Sequence, residues 1–256
     1  MALFISQLAE NRKVGNEKNH RLVAQLNIMA KSRNPLSRFV LEIFSIFLGV
    51  TIAFLANHWN EQRKEKLVER KTLREISIEL GSDIDDIRNN VNGHRLGIEA
   101  VNLFQRYVRG EVVDYDSLNI NFERLYRDYI SITNTTAYET LKSRGIEIVS
   151  NDQLRADIVE LYDFAYEIIQ KLEEEYYPAQ FHKNYFDDIS AYFEDYMEIQ
   201  GDDIRFIKPH RGKPDQKLLL ILREIKQWRL FNIASYEQTE EKIIQLIADI
   251  EKELDE

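Results

Sequence analysis

The sequence predicts an all-α fold in which one transmembrane helix runs into an antiparallel helical bundle. Three observations support this prediction. One apolar run is long enough to cross a bilayer, the 256 residues include only nine glycines and four prolines, and apolar residues elsewhere recur at intervals of three and four. So few turn residues argue against a protein of many strands, and the three-to-four spacing places apolar side chains on one face of a helix.

The predicted segments follow one another in a simple order. Residues 1–38 form a polar, basic N-terminal tail with seven Lys and Arg residues, residues 39–59 form the transmembrane helix, and residues 60–256 form a helical bundle domain with a stalk. This length fits one ordinary domain and an anchor, or two small domains, and one core is the simpler interpretation.

The run from Phe39 to Trp59 has 21 residues and would be about 31 Å long as a helix, which matches a hydrocarbon core of about 30 Å. A buried core helix is the alternative, because Glu42 interrupts the run. The twelve Leu, Ile, Phe and Val residues between positions 39 and 55 favour insertion by about 4 to 7 kcal/mol in total. A carboxylate costs about 2.5 to 3.5 kcal/mol at the helix centre and less in the first turn. The balance therefore predicts a membrane anchor.

Two arguments on orientation oppose each other. Four Lys and Arg lie within 20 residues before the run and six lie within 20 residues after it. That count favours a cytoplasmic C-terminal domain. The basic tail has no apolar signal of its own, however, whereas a long C-terminal domain can translocate regardless of charge. We therefore expect a single-pass protein of the cell inner membrane with a periplasmic C-terminal domain.

One face of the predicted membrane helix carries Glu42 and small residues. At 100° per residue these positions fall within about 80° of one another, opposite a face of Phe and Leu. Small residues four apart let two helices pack closely in lipid, and an intramembrane carboxylate usually points away from lipid. The alternative is that Glu42 merely reaches toward the headgroups. The predicted transmembrane interface consists of Glu42, Ser45, Gly49, Ala53 and Ala56.

The pattern after the anchor predicts short helices joined by short loops. An apolar stripe from Leu73 to Val91 has its first expected stop at Asn92-Gly93, a second helix ends at Gly110, and a third begins near Asp116.

The middle of the chain has clear helix start and stop signals. Thr136 to Glu139 has the form of a capping box, and Gly145 suits a helix C-terminus. Residues 146–149 could make one extended rung before another helix begins at Ser150-Asn151, which Pro178 should kink or end.

The last third of the chain is predicted as two helical regions around one loop. An aromatic helix spans residues 179–200, residues 201–214 form a loop, and residues 215–256 form one long helix or two nearly collinear ones. The predicted core includes Ile76, Leu80, Phe122, Leu141, Leu161, Ile168, Leu222 and Ile243.

Two segments resemble a family of bacterial single-pass membrane proteins defined by a domain of unknown function. Asn57, Trp59, Asn60 and Glu61 fit its Asn-x-Trp-Asn-Glu pattern after the anchor. Residues 138–145 fit Tyr-Glu-x-Leu-Lys-Ser-x-Gly, and residues 151–154 fit Asn-Asp-x-Leu. The resemblance covers about residues 39–165, although the N-terminal tail is longer than the basic lead usual there. It implies membrane anchoring and helical content, and it implies no activity.

The composition excludes several kinds of chemistry. A formal charge of −10 with dispersed cations argues against nucleic-acid binding, and the absence of cysteine excludes a thiolate nucleophile or disulfides. None of the five histidines lies in a His-Glu-x-x-His or Glu-x-x-His pattern, and no phosphate-binding glycine loop occurs. We therefore predict no metal site and no cofactor.

Two weak binding candidates remain. An aromatic and His-Asp cluster around residues 176–196 could serve a ligand or an enzyme, although bundle core and solvated helix face are the ordinary interpretations; the loop around residue 210 could hold an anion. These candidate binding residues are His182, Tyr185, Asp187, Asp188, His210 and Arg211.

The sequence thus favours a membrane-anchored helical interaction, sensor or scaffold module without catalytic activity, which self-associates. Its expected partners are the lipid bilayer and a second copy or another membrane protein, and nucleic acid is not among them. The alternative is a membrane-bound enzyme or ligand-binding domain that uses the cluster around residues 176–196.

Overall fold

A computed structural model describes residues 35–255 and confirms the all-α class. The first helix, α1, spans Pro35–Val108. The chain divides into two compact units, with the boundary between Lys64 and Glu65. Of the described residues, the first unit contains residues 35–64 of α1, and the second unit contains the rest of α1 and the remaining elements; most of the predicted N-terminal tail, residues 1–34, lies outside the described residues.

The second unit contains six further α-helices and one hairpin among the described residues. The helices are α2 (Tyr115–Asn121), α3 (Thr136–Arg144), α4 (Asp152–Glu160), α5 (Tyr166–Glu174), α6 (Phe181–Phe193) and α7 (Gln216–Asp255). Strands β1 (Met197–Gln200) and β2 (Asp203–Phe206) pair antiparallel. Single 3-10 turns lie at Glu123–Leu125, Ile146–Ile148, Tyr177–Ala179 and Glu194–Tyr196, and a π-helical turn lies at Leu161–Ala165.

Helices α1 and α7 run antiparallel within the second unit. In the side-chain contacts between the two helices, residue numbers increase along α1 as they decrease along α7. The contacts join Arg88 to Glu240, Arg95 to Glu237 and Asn102 to Lys226. The last helix is continuous, so of the two alternatives for residues 215–256 the single long helix is correct.

The predicted stop at Asn92-Gly93 is wrong, because α1 continues to Val108. Both nearby glycines serve close packing instead of a turn. A Cβ added to Gly93 would lie 2.2 Å from the ring of Tyr129, and one added to Gly97 would lie 2.5 Å from Nε of Arg229. Such distances leave no space for a side chain. Glycine is therefore required here because another part of the chain approaches the helix backbone.

Helix α3 begins where predicted, but its cap is different. Thr136 is already helical, and no side chain of the flanking Thr135 caps the helix. The amide of Ala137, which has no partner within the helix, donates instead to the carboxylate of Glu79 on α1. A tertiary contact thus replaces the predicted capping box.

The rest of this region is partly as predicted. Gly145 has φ +104° and ends α3, and the side chain of Asn151 accepts from the amides at the start of α4. The extended rung expected at residues 146–149 is wrong, since residues 146–148 form a 3-10 turn. Helix α5 ends at Glu174, four residues before Pro178.

The π-helical turn explains the one predicted core residue that is exposed. Ile168 is 50% exposed, whereas Ile169 is buried. A π-turn holds one more residue than an α-turn, so it rotates every later side chain by about one position. The buried stripe therefore moves from the predicted Ile168 to Ile169, and the other seven predicted core residues are buried.

The hairpin at residues 197–206 departs from the predicted helix over residues 179–200 and loop over residues 201–214. Helix α6 ends at Phe193, and the strands meet at a two-residue turn in which Gly201 has φ +67°. Glycine takes this left-handed conformation at little cost. Phe206 on β2 is buried against the aromatic core, which anchors the hairpin to the helices.

The second unit has two hydrophobic cores that share α1 and α7. The first core packs residues 73–91 of α1 with helices α3 to α5 and residues 233–250 of α7. The second packs residues 100–108 of α1 with α2, α6, β2 and residues 218–225 of α7. Between them, α1 and α7 contribute buried polar side chains, His94 and Arg229.

Candidate functional site

The apolar start of α1 is exposed along its length. It is the helix of the described residues that is long and apolar enough to cross a membrane, and none of its apolar window is buried. Large side chains such as Phe47 and Phe54 are 67% and 71% exposed. In a water-soluble protein a contiguous apolar surface of this kind marks a contact with another protein or with a membrane.

The predicted interface residues lie on this exposed helix. The hydroxyl of Ser45 donates to the backbone carbonyl of Glu42 at 2.8 Å. The hydroxyl of Ser45 is thus used within the helix, and the Glu42 carboxylate lies on the exposed surface. A Cβ added to Gly49 would meet no atom within 4 Å. Bulk at this position therefore leaves the helix itself undisturbed.

The structure does not join His182 to the two aspartates near it in sequence. The ring of His182 stacks on Phe186 with centroids 4.9 Å apart, while Asp188 pairs with Lys217 at 2.6 Å. Asp187 is exposed, and Tyr185 is half-buried against the second core. Within residues 35–255, no group of three or more His, Asp and Glu side chains is placed to hold a metal ion.

The two candidate residues of the loop, His210 and Arg211, lie in different environments. His210 is buried, and its Nε2 lies 2.8 Å from the hydroxyl of Tyr192. Arg211 is exposed. The aromatic residues of α6 thus act mainly as core: Phe181 and Phe193 are fully buried, and the tyrosines pack around them.

A row of carboxylates on α1 binds the backbone of other elements. These acidic residues fall in the same helical register as the buried apolar residues of α1, so their side chains face the protein. Each carboxylate accepts an amide that secondary structure leaves unpaired. The amide and carboxylate pairs are Ser150 with Glu69, Ala137 with Glu79, Asn134 with Asp83, and Ile132 with Asp86.

Residues 126–135, which join the 3-10 turn at Glu123–Leu125 to α3, supply two of these four amides and make further bonds to carboxylates. Glu173 on α5 accepts from both the amide and the hydroxyl of Ser131, and the hydroxyl of Tyr236 donates to the same carboxylate. Asp128 lies within this segment, and its carboxylate accepts a hydrogen bond from the amide of Phe181 on α6 at 2.7 Å. Carboxylates hold this irregular segment in place of a regular hydrogen-bond ladder.

The buried arginine at the centre of the second unit is held by backbone carbonyls. Arg229 is fully buried, and its Nη2 donates to the carbonyl oxygens of Arg124, Leu125 and Arg127 at 3.0 to 3.2 Å. Its guanidinium carbon lies 4.2 Å from the ring centroid of Phe181. We call His94, Asp128, Tyr129 and Arg229 the polar layer.

His94 completes the polar layer in a single protonation state. Arg229 Nη1 lies 3.2 Å from His94 Nδ1, and because arginine has no acceptor, Nδ1 must accept and Nε2 must carry the proton. Burial, with the positive charge of Arg229 beside it, lowers the pKa of His94 to about 3. Burial also lowers the pKa of Arg229, to about 10, so it stays charged at neutral pH.

Three carboxylates of these networks, one buried and two partly shielded from solvent, have pKa values shifted in the opposite direction. Burial raises the pKa of Asp83, Glu173 and Asp128, while the hydrogen bonds that each carboxylate accepts lower it in part. Their folded pKa values therefore lie above the unfolded ones. Protonation stabilises the folded state at these three sites as pH falls.

His94 should make stability fall with acid. Between pH 6.5 and about 3 the unfolded histidine binds a proton that folded His94 excludes, so its contribution to the free energy of unfolding falls by about 1.4 kcal/mol per pH unit below 6.5. Denaturant unfolding at pH 7 and pH 5 should show wild type losing about 2 kcal/mol more than the His94→Gln variant.

The comparison between the two pH values removes any effect of the substitution on the free energy of unfolding that does not depend on pH. It also cancels the opposite contribution of Asp83, Glu173 and Asp128, which both proteins share. The variant His182→Gln, at an exposed position, serves as control and should keep the wild-type pH dependence. Equal pH dependence of His94→Gln and wild type would contradict the buried neutral histidine.

Sequence reasoning missed the polar layer and the carboxylate row, although a signal was present. Arg229 lies four residues after Ile225 and four before Ile233, in the register of the buried stripe. Asp83 lies between Leu80 and Ile87 in the same way. A charged residue in a core register predicts a buried polar contact, but the pattern of one helix does not identify the partners.

Over residues 35–255 these features define an all-α protein with one helix fit to cross a membrane and a helical second unit that contains the polar layer around the buried Arg229. No protein-family model matches the chain, and neither does any curated protein or solved structure.

Proposed function

We propose that this chain is a membrane-anchored helical module that binds other proteins and self-associates through its membrane helix, with no catalytic activity of its own. The observation that carries the proposal is the exposed apolar start of α1, whose length and composition suit a bilayer. Outside the face of Glu42 and small residues, large exposed apolar side chains cover it, as expected of a surface that faces lipid.

The second unit supports a binding role more than a chemical one. Several of its interior polar side chains form hydrogen bonds with backbone groups, as Arg229 and Asp83 do. The sequence resemblance to a family of single-pass membrane proteins agrees with anchoring. The proposed location is the cell inner membrane, with the second unit in the periplasm.

A reporter fused to the C-terminus tests the proposed location. An enzyme active only after export should be active in this fusion, and one active only in the cytoplasm should be inactive. The reverse result would place the second unit in the cytoplasm, as the six basic residues after the apolar run favour. Recovery of the intact chain in the soluble fraction would reject the anchor itself.

Gly49→Ile should abolish self-association in the membrane. In the proposed contact Glu42, Ser45, Gly49, Ala53 and Ala56 face a second copy or another membrane protein, and bulk at the central glycine would force the two backbones apart. Because the space around Gly49 is open within one chain, the substitution leaves the helix unchanged. A membrane two-hybrid or crosslinking assay of the full chain measures the effect.

The matched control is Phe47→Ile on the opposite face of the helix, where Phe47 is 67% exposed. Association of this variant should match wild type. If both variants associate equally well, or both fail, the small-residue face is not the contact.

A further inference from the structure

A groove with acidic walls runs between α2 and the hairpin. It has a volume of about 910 Å³, and the amide of Phe206 on β2 donates to the side chain of Asn119 on α2 at 2.7 Å, which fixes the two walls relative to each other. Two isoleucines in it, Ile120 and Ile207, are 65% and 47% exposed. We call this surface the acidic groove, and it consists of Asp116, Ile120, Glu123, Asp202, Asp203 and Ile207.

The carboxylates of the acidic groove are not neutralised within the chain. All four are exposed, and within residues 35–255 no basic nitrogen lies within 4.0 Å of any of them. They differ in this from the neighbouring Glu111 and Asp114, which pair with Arg106 and cap α2. Arg205 also lines the groove, so four carboxylates and one guanidinium leave it with a net negative charge.

A loop of opposite charge follows the acidic groove in the chain. We call residues 208–213 the basic loop. Its cations, Lys208, Arg211 and Lys213, are exposed, and over residues 35–255 none has a carboxylate within 4.0 Å. The Nζ of Lys208 lies 5.3 Å from the ring centroid of Tyr196, a contact that leaves its charge in place. The loop therefore presents three cations that are free to meet an acidic surface.

Two contacts with the second core hold the basic loop. The hydroxyl of Tyr107 donates to the carbonyl of Lys208 at 2.6 Å, and the ring of the buried His210 lies 2.8 Å from the hydroxyl of Tyr192. The backbone that carries the cations is thus fixed before any partner arrives. A surface ordered in advance loses less conformational entropy when it binds.

The acidic groove and the basic loop share a border. Ile207 lines the groove and Lys208 is the next residue, while Asp116 of the groove and Pro209 of the loop line one cleft of about 410 Å³. One surface of the second unit thus has a negative half beside a positive half. A two-fold axis at the border places the negative half of one copy on the positive half of another, and the reverse.

We propose that two copies of this chain pair through this surface, so that the basic loop of each copy enters the acidic groove of the other. A second copy fits because one chain carries both complementary halves. Three cations meet four carboxylates and the guanidinium of Arg205, so neither contact keeps a net charge. Ile207 lies at the border and packs against its equivalent, which removes apolar surface from water.

The pairing is sensitive to salt and is supported by the membrane helix. Exposed ion pairs are individually weak, and salt screens them. In the cell the pairing therefore rests on the proposed self-association of the membrane helix, which raises the effective concentration of one second unit beside another. Without that helix contact, copies should pair through the charged surface at low salt and separate at an ionic strength of about 0.15 M.

Charge reversal in the full-length chain tests the pairing. Every chain carries Gly49→Ile, which removes the proposed helix contact, and the chain with this change alone is the parent. Sedimentation in detergent at low salt measures the dimer. The groove variant adds Asp202→Lys and Asp203→Lys, and the loop variant adds Arg211→Glu and Lys213→Glu. Each variant sets like charges against each other at both contacts, so its association constant should fall by about a hundredfold or more.

The mixture of the two variants should recover the dimer. The unchanged loop of the groove variant meets the unchanged groove of the loop variant, and the other contact joins reversed charges of opposite sign. The control adds Asp187→Lys and Glu241→Lys to the parent, which makes the same change of charge at exposed carboxylates outside the groove, and it should associate like the parent. A mixture that stays monomeric, or an equal loss in the control, overturns the proposal.

Cysteine crosslinking tests the two-fold symmetry, because the chain has no cysteine. Ile207→Cys in the parent should crosslink to its own equivalent through a short bis-maleimide, since a two-fold contact places border residues beside each other. The matched control is Ile244→Cys, which is also 47% exposed but lies in the part of α7 that packs on the first core, and it should not crosslink. A head-to-tail contact would give no Ile207→Cys crosslink and would overturn the proposal.

Two further measurements separate this inference from its alternatives. If the parent stays monomeric at low salt, while an oligolysine peptide binds it and does not bind the groove variant, the acidic groove serves a basic partner and the proposal is overturned. Loss of membrane association by Gly49→Ile at about 0.15 M salt reports the helix contact alone. That result and the low-salt dimer of the parent therefore succeed or fail independently.

Discussion

Arg229→Met is expected to lower the free energy of unfolding by about 3 to 5 kcal/mol. Methionine fills much of the same space but donates no hydrogen bond, so the carbonyl oxygens of Arg124, Leu125 and Arg127 lose their shared donor. Each buried acceptor left without a partner costs about 1 to 3 kcal/mol. His94 loses its contact with the guanidinium as well.

One effect opposes this loss. Burial of the guanidinium is unfavourable, as its lowered pKa indicates, and methionine relieves that cost. The loss should still dominate because three backbone acceptors converge on this one guanidinium. Asp128 would also lose a nearby positive charge that favours its ionised form.

Chemical unfolding of the detergent-solubilised chain, followed by circular dichroism, measures the effect. Arg223→Met on the same helix is the control, and since Arg223 is exposed its change should stay within about 0.5 kcal/mol of wild type. Arg229→Lys keeps the charge but not the planar fork, so it should lie between wild type and methionine. Equal stability of Arg229→Met and wild type would show that the polar layer is dispensable.

The helical class and most helix positions could be predicted because they depend on local patterns. The spacing of Leu73, Ile76 and Leu80 fixes one face of α1 whatever packs against it, and Asn151 caps α4 through atoms only two and three residues away. These signals lie within one turn of helix. A sequence shows them directly.

The errors arose where distant residues decide the local structure. Asn92-Gly93 predicts the end of a helix, but the helix continues and the ring of Tyr129 occupies the space beside Gly93. The residues around position 93 do not reveal this contact, because Tyr129 lies on a distant part of the chain. Glu79 likewise caps a helix that begins 57 residues later. The hairpin is a further case, because its strands alternate weakly and depend on the burial of Phe206.

The candidate sites were less predictable than the fold for the same reason. His182 and Asp188 are close in sequence, yet the first stacks on Phe186 and the second pairs with Lys217 on another helix. His94 and Arg229 are 135 residues apart and meet at the centre of the second unit. The short sequence spacing suggested a cluster of His182 with Asp188 that does not form. The large separation of His94 and Arg229 gave no indication of the contact that does form.

Alanine substitutions at Ile169 and Ile168 should have very different effects, although the residues are adjacent. The π-helical turn at Leu161–Ala165 places Ile169 in the first core at 3% exposure and leaves Ile168 at 50%. Truncation of a buried isoleucine removes apolar contacts and leaves a cavity, which costs about 2 to 5 kcal/mol, while the exposed neighbour should cost under about 1 kcal/mol.

Leu161→Ala calibrates this comparison, since Leu161 lies at the start of the π-turn and is buried, and it should also cost about 2 to 5 kcal/mol. The same unfolding measurement serves all three variants. An α-helical register without the extra residue predicts the reverse order, with Ile168→Ala the more damaging of the two isoleucine changes. Because the two registers give opposite orders within one pair of variants, the comparison does not depend on the absolute stability of the chain. The pair therefore tests the π-turn itself and, with it, the packing of α5 against α7.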